Sequence, residues 1–177
     1  MQSLSRLTDK RFYGVEEGLV TSVAQDMSKE GRLMVKLVRH EVEVECRMSN
    51  AYAGNGYGFY FVPQVGDEVL VAFTQGDMRL PMIIGGLYNG KDKPPVEDPQ
   101  LRCIKTPSGH QLIFVDAPDG SGNTGGVVIQ DAYGNIITMS NGKITIKSKG
   151  VLEIDASVIT LQGPGYRRVV SPNNNPI

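Results

Sequence analysis

Residues Gly126–Gly163 read GVVIQDAYGNIITMSNGKITIKSKGVLEIDASVITLQG, and the fold turns on this stretch. Apolar and polar residues alternate along it, the two-residue period of a β-strand. The pattern restarts at a near-constant step: Val128, Ile136, Ile144 and Leu152 lie eight residues apart, and Ile159 and Leu161 follow about one residue out of phase. Turn-formers stand between the apolar pairs, at Ala132–Asn135, Ser140–Lys143 and Ser148–Gly150. Short strands joined by tight turns at a fixed step predict a β-solenoid or β-prism.

One copy of this stretch has little with which to bury itself. Each strand offers two or three apolar side chains, and Gly-Asn turns cover nothing. Lys143, Lys147, Lys149, Glu153 and Asp155 fall between the apolar positions and read as a solvated outer face. An intertwined homo-oligomeric prism fits this pattern, with Val128, Ile136, Ile144, Ile146, Leu152, Ile154, Ile159 and Leu161 pointing inward. The competing arrangement is a β-meander packed on the preceding domain.

Composition narrows the function. The chain has 177 residues, with 18 Lys+Arg against 19 Asp+Glu, so it lacks the basic stripe that phosphate backbones require. Its 21 glycines, 10 prolines and absence of tryptophan suit a turn-rich β-protein. No apolar run is long enough for a transmembrane helix, and the N-terminus lacks the apolar core of a signal peptide. Synthesis in the cytoplasm without a signal peptide is expected. Cys46 and Cys103 lie far apart with no CxxC spacing, which favours two reduced structural thiols over a metal site or disulfide.

Before the repeat, the chain is β throughout. Residues 1–13 read as an N-terminal arm carrying Leu4, Leu7 and Phe12. Five short strands follow: GLVTSV (18–23), RLMVKLV (32–38), EVEVECR (41–47), DEVLVAF (67–73) and MIIGGLY (82–88). Leu33, Val35 and Leu37 share one face, as do Val42, Val44 and Cys46, with the glutamates between the latter pointing outward. Five strands across residues 14–90 match a small Greek-key barrel of the OB type; a five-strand sandwich is the alternative. The long loop from Met48 to Gly66 carries Tyr52, Tyr57, Phe59, Tyr60 and Phe61. Loops of this length usually carry function or an interface. These five aromatics read as an interface loop; the alternative is an Ω-type loop whose aromatics plug the barrel mouth, and both readings hold if Phe59 and Phe61 turn inward with the tyrosines at an interface. The proline-rich residues 91–107 read as a linker, 108–163 as the prism and 164–177 as a tip or tail unable to continue the repeat.

The stretch VPQVGDEVLVAFTQGDMRLPMIIGGLYN (62–89) resembles the OB-domain signature of contractile-tail spike proteins. These include phage baseplate assembly protein V, the VgrG proteins of type VI secretion and the spikes of extracellular contractile injection systems. The matching positions are Pro63, Gly66, Asp67, Val69, Val71, Phe73, Gly76, Asp77, Pro81, Ile83, Gly85, Leu87, Tyr88 and Asn89. Lys105–His110 (KTPSGH) is similar to the family's entry into its C-terminal prism, so the resemblance runs over about residues 14–165.

The resemblance implies an all-β homotrimer, with OB barrels around the head of a trimeric β-helix or β-prism that a contracting sheath drives through a target cell envelope. It makes the eight inward residues above the trimer core. The barrel face and arm would meet a baseplate hub or tube-initiator protein. The far end would take a PAAR-like tip protein or effector cargo, with Tyr166, Val169, Val170 and Ile177 as candidate contacts. Whether the particle is a phage tail, a tailocin, an extracellular injection system or a type VI system stays open at this point, although a chain starting at Met1 without a hub domain argues against type VI. No lysozyme insert separates barrel from prism, and His40 and His110 leave no His-x-His iron motif, so no cofactor or metal is expected.

Two other functions compete. Catalysis would need paired carboxylates or a nucleophile with a histidine base. Glu16-Glu17, Glu41/Glu43/Glu45 and Asp116/Asp119 read as solvated faces, and Ser108-Gly-His110 as a turn into a strand. A carbohydrate- or nucleic-acid-binding OB module would use Tyr52, Tyr57 and Tyr60 for stacking. Only Arg47 and Arg79 flank that loop, so nucleic acid is not expected as a partner. Gly54-Asn-Gly-Tyr-Gly58 lacks the Lys-Ser/Thr ending of a phosphate loop.

Overall fold

The computed structural model describes residues 11–23, 31–117 and 124–170. The chain divides into two compact units, Met1–Pro94 and Pro95–Ile177. Among the described residues, no helix is long and apolar enough to cross a membrane.

The first unit is built from β1 (Val15–Ser22), β2 (Arg32–Leu37), β3 (Glu43–Met48), β4 (Ala53–Gly54), β5 (Tyr57–Gly58), β6 (Glu68–Phe73) and β7 (Pro81–Leu87). Five of them close a barrel in the order β1-β2-β3-β7-β6, with β6 returning to β1. All neighbours are antiparallel except β3 and β7, which run parallel. Register breaks between Val20 and Ser22 and between Leu70 and Val71 let the sheet bend into a closed wall. Closure removes free sheet edges.

The two-residue period sorts side chains across that wall. Val20, Leu33, Val35, Leu37, Cys46, Val69, Val71, Phe73 and Ile83 form the buried core. Alternation on β2 and β6 therefore puts Leu33, Val35, Leu37, Val69, Val71 and Phe73 inside, as the pattern requires. Gly18 is tied to close packing, because a Cβ there would sit 2.4 Å from Val35 Cγ1. Phe12 continues the core outward: its N–H donates to Gly76 O at 2.8 Å, and its ring lies edge-on to Phe73 at 5.0 Å.

Several expectations need correction. Val42 is exposed, because Glu41 takes a φ of 54° in the turn after β2 and β3 starts only at Glu43. Phe59 and Phe61 do not plug the barrel; they are 53% and 59% exposed beside the small β4–β5 hairpin. Leu4 and Leu7 lie outside the described residues.

The second unit contains β8 (Leu101–Lys105), β9 (Gln111–Val115), β10 (Gly126–Gln130), β11 (Ile136–Ser140), β12 (Lys143–Lys147), β13 (Ile159–Gly163) and β14 (Tyr166–Val170). Strands β8 to β12 form one sheet in sequence order, each antiparallel to the next. A single chain thus makes successive hairpins here and does not coil as a solenoid. The presumed linker 91–107 contains β8, since Leu101-Arg-Cys-Ile-Lys105 alternates in its own right and pairs with β9. The presumed tail contributes β14, which pairs with β13 across Pro164-Gly165. Leu152 and Ile154 lie in a segment without strand pairing between β12 and β13.

Candidate functional site

In antiparallel pairs, directly opposed residues share a face of the sheet. Whether a face carries odd or even residue numbers on the next strand therefore depends on loop length. An odd number of intervening residues preserves parity and an even number reverses it. Between β10 and β11 the partners are Gln130 and Ile136, five residues lie between, and Val128 faces the same way as Thr138. Between β11 and β12 the partners are Ser140 and Lys143, and only Asn141-Gly142 intervenes. Their φ values of 49° and 72° suit a two-residue hairpin turn of the primed type, which Asn-Gly favours. Parity reverses there.

One face consequently carries Ile104 on β8, Leu112 and Phe114 on β9, Val127 and Ile129 on β10, Ile137 and Met139 on β11, and Ile144 and Ile146 on β12. Its charged member is Arg102, which is ion-paired with Asp116. The opposite face carries Leu101, Cys103, Ile113, Val115, Val128 and Ile136, mixed with Lys105, Gln111, Gln130, Thr138, Ser140, Lys143, Thr145 and Lys147. The expectation of one inward set is thereby corrected. Val128 and Ile136 stand on the mixed face, while Ile144 and Ile146 stand on the apolar one. Leu152 and Ile154 are exposed outside the sheet, and Ile159 and Leu161 belong to the β13–β14 hairpin.

Among the described residues, the apolar face is open to solvent. Ile144 and Ile146 are 69% and 56% exposed, and Ile104, Phe114, Ile129, Ile137 and Met139 are exposed beside them. Every buried hydrophobic side chain among the described residues belongs to the barrel. A soluble protein rarely leaves so continuous an apolar surface open unless something docks on it. At the edge of this face an open groove of about 390 Å³ runs between the strands and Val151–Glu153, with Ile129, Ile137 and Ile146 in its wall.

The groove is held by polar contacts made by Asn135. Its N–H and Nδ2 donate to the Asp131 carboxylate at 2.8 and 2.6 Å, and its Oδ1 accepts from the Lys149 N–H at 2.9 Å. Burial works against ionisation of Asp131, but these bonds and the Tyr133 N–H outweigh it and hold the carboxyl below its ordinary value. The β10–β11 turn and the turn after β12 are thus fastened together. They meet where strand β12 has ended and Ser148 Oγ donates to Val151 O at 3.0 Å.

The barrel carries a second exposed apolar feature, the β4–β5 hairpin. Tyr52, Tyr57, Phe59, Tyr60 and Phe61 are all exposed. The Tyr52 and Tyr57 rings lie 5.4 Å apart, and Phe59 stacks with Phe61 at 6.3 Å. Gly58, with φ 143°, permits the crossing, since a Cβ there would lie 2.5 Å from Tyr52 O. The candidate tip strand β14 includes Tyr166, Val169 and Val170 in its backbone ladder, whereas Ile177 lies outside the described residues.

Glu16 is buried in the barrel wall, where its carboxylate meets His40 Nδ1 at 2.8 Å and accepts from the Arg39 N–H at 3.1 Å. These contacts tie the β2–β3 turn to β1. Among the described residues, no cluster of His, Cys, Asp or Glu suits a metal ion.

A closed barrel followed by a sheet whose apolar face is open among the described residues defines a modular β-protein. Residues 16–88 match the type VI secretion system/phage-baseplate injector OB domain, and residues 102–167 match the phage baseplate V C-terminal trimerisation domain. The chain belongs to the phage baseplate V/VgrG-like spike proteins. It is 31% identical over 134 residues to the type VI secretion system spike protein VgrG5 of Pseudomonas aeruginosa, covering 70% of this chain and 16% of that protein. It is 43% identical over 60 residues to VgrG4b of the same organism, covering 33% and 7%. A third relative is the actin cross-linking toxin VgrG1 of Vibrio cholerae, 41% identical over 54 residues, covering 30% and 5%. The chain therefore spans less than a fifth of the length of these relatives.

Proposed function

We propose that this chain is the central spike subunit of a contractile injection machine or phage tail baseplate, acting as a homotrimer with a mechanical role. In this reading each chain contributes a barrel at about 14–90 and one part of a trimeric β-prism, whose shaft includes β8 as well as residues 108–163. The observation that carries this reading is the C-terminal sheet, which has regular strands and a continuous apolar face but no buried hydrophobic side chain among its described residues. Such a sheet gains its core when copies bury that face against one another. A closed multi-chain shaft resists opening strand by strand, a property suited to puncturing an envelope.

In this reading the aromatic hairpin at Tyr52–Phe61 and the arm at 1–13 contact the hub or tube-initiator protein. The hairpin suits that task because rigid, exposed aromatics are common anchors of protein interfaces. The end beyond β13 meets a PAAR-like tip protein or effector cargo. The assembled particle is a phage tail or contractile injection particle.

The test is native mass by light scattering after size exclusion, followed by hub capture. A trimer has three times the 19.3 kDa chain mass, about 58 kDa. A 19.3 kDa monomer would sink the spike reading and favour a glycan-binding barrel module. Hub capture that survives replacing Tyr57 and Tyr60 by Ala would remove the hairpin from the hub contact.

A further inference from the structure

We propose which face of the C-terminal sheet the copies bury: the face bearing Phe114, Ile129, Ile137, Met139, Ile144 and Ile146 packs against further copies of this chain, and the face bearing Thr138, Lys143, Thr145 and Lys147 stays in water. The inference rests on the homotrimeric spike reading and goes beyond it by choosing between two faces that both contain apolar residues.

Three observations carry the choice. The first is register. Ile146 opposes Ile137 and Ile144 opposes Met139, so β11 and β12 present a continuous apolar block on one side. On the other side the same strands present the pairs Ile136–Lys147, Thr138–Thr145 and Ser140–Lys143. Burying Lys143 and Lys147 of that side in each copy would strip like charges of water in a dry centre, which their desolvation opposes. The second is exposure. Ile137, Met139, Ile144 and Ile146 are all open to solvent in the single chain, whereas Val128 and Ile136 on the other face are already half-buried. The third is that the matched trimerisation domain spans residues 102–167, which includes β9 to β13 in full, so the occupant is another copy of the same chain.

Ile146 and Thr145 are adjacent on β12, both exposed in one chain, and they point to opposite faces. The test compares Ile146→Asp with Thr145→Asp by light scattering, using the full chain. The expected result is a trimer for the wild type and for Thr145→Asp, and loss of the trimer for Ile146→Asp. A second measurement needs no substitution: Met139 in the wild type should resist peroxide oxidation in native buffer and react freely in denaturant.

A trimer retained by Ile146→Asp overturns the assignment, whatever Thr145→Asp does. So does a Met139 that oxidises as fast in the native trimer as in the unfolded chain. If both variants dissociate, Met139 decides: protection supports the assignment and free reaction overturns it. A wild-type monomer is a different failure, because it removes the spike reading on which the choice of face depends.

Discussion

Ile146 stands directly opposite Ile137 across the β11–β12 pair, while the neighbouring Ile136 points to the other side of the sheet opposite Lys147. Two adjacent isoleucines thus have different fates, and the two-residue Asn141-Gly142 turn decides which is which. Its length fixes the register, and a one-residue slip would send every side chain of β12 to the wrong face.

That dependence can be measured by insertion. One glycine placed inside the strand, between Lys143 and Ile144 with the Asn141-Gly142 turn kept, brings Ile144 opposite Thr138 and so moves Ile144 and Ile146 to the lysine-bearing face. Two inserted glycines return them to the apolar face at the cost of a weaker strand. Trimer mass should be lost or sharply weakened with one insertion and recovered, at least in part, with two. Equal behaviour of the two insertions would show that the facing of these side chains does not govern assembly.

The barrel has its own core, so its damage should read differently. Leu37 is fully buried among Val20, Val35, Val69 and Val71. Leu37→Ala should cost about 2–5 kcal/mol through lost burial and the cavity left behind. Denaturant unfolding would check this. An unchanged midpoint would mean that Leu37 does not pack as described.

Asp77 gives an acid-range prediction. Hydrogen bonds from the Arg79 side chain, then its backbone N–H, hold the Asp77 carboxyl down at about 2 against an ordinary 3.8. A carboxyl lowered on folding stabilises the folded state above its unfolded value, and that contribution fades as pH falls from about 4 toward about 2. The pair is solvent-exposed, so the effect is small. The melting-temperature gap between wild type and Asp77→Asn should narrow steadily across that range. A gap independent of pH would dissociate Asp77 from acid stability.

The two thiols should also separate. Burial first, and the charge of neighbouring Glu45 second, push the Cys46 thiol up to about 12. Because the thiolate is the reactive form, Cys46 should stay unlabelled by a maleimide in mildly alkaline buffer until the barrel unfolds. Labelling of Cys46 in the native protein, read by peptide mass, would contradict its place in the core.

Much of the barrel was legible because alternation on RLMVKL and EVLVAF leaves one assignment for each side chain. The β-character of residues 126–147 was equally plain, since Asn-Gly and Tyr-Gly-Asn punctuate it. In the aromatic loop, the alternative that turned Phe59 and Phe61 into the barrel mouth does not hold. Nothing in their spacing tells a plug from a protruding hairpin; the crossing at Gly58 over Tyr52 O does. Strand β8 was obscured by the prolines around it, and β14 by the Ser-Pro-Asn-Asn-Asn run that follows.

By itself, the sequence determined the period of each strand, the places where turns fall and the presence of more apolar surface in the C-terminal unit than one chain can cover. These are local properties, set by side-chain type and backbone preference. Only the tertiary structure decided which apolar residues share a face. Val128, Ile136 and Ile144 keep a constant step of eight along the chain. Pairing across a turn depends on the number of residues in that turn, and the even turn at Asn141-Gly142 places Ile144 on the side opposite Val128 and Ile136.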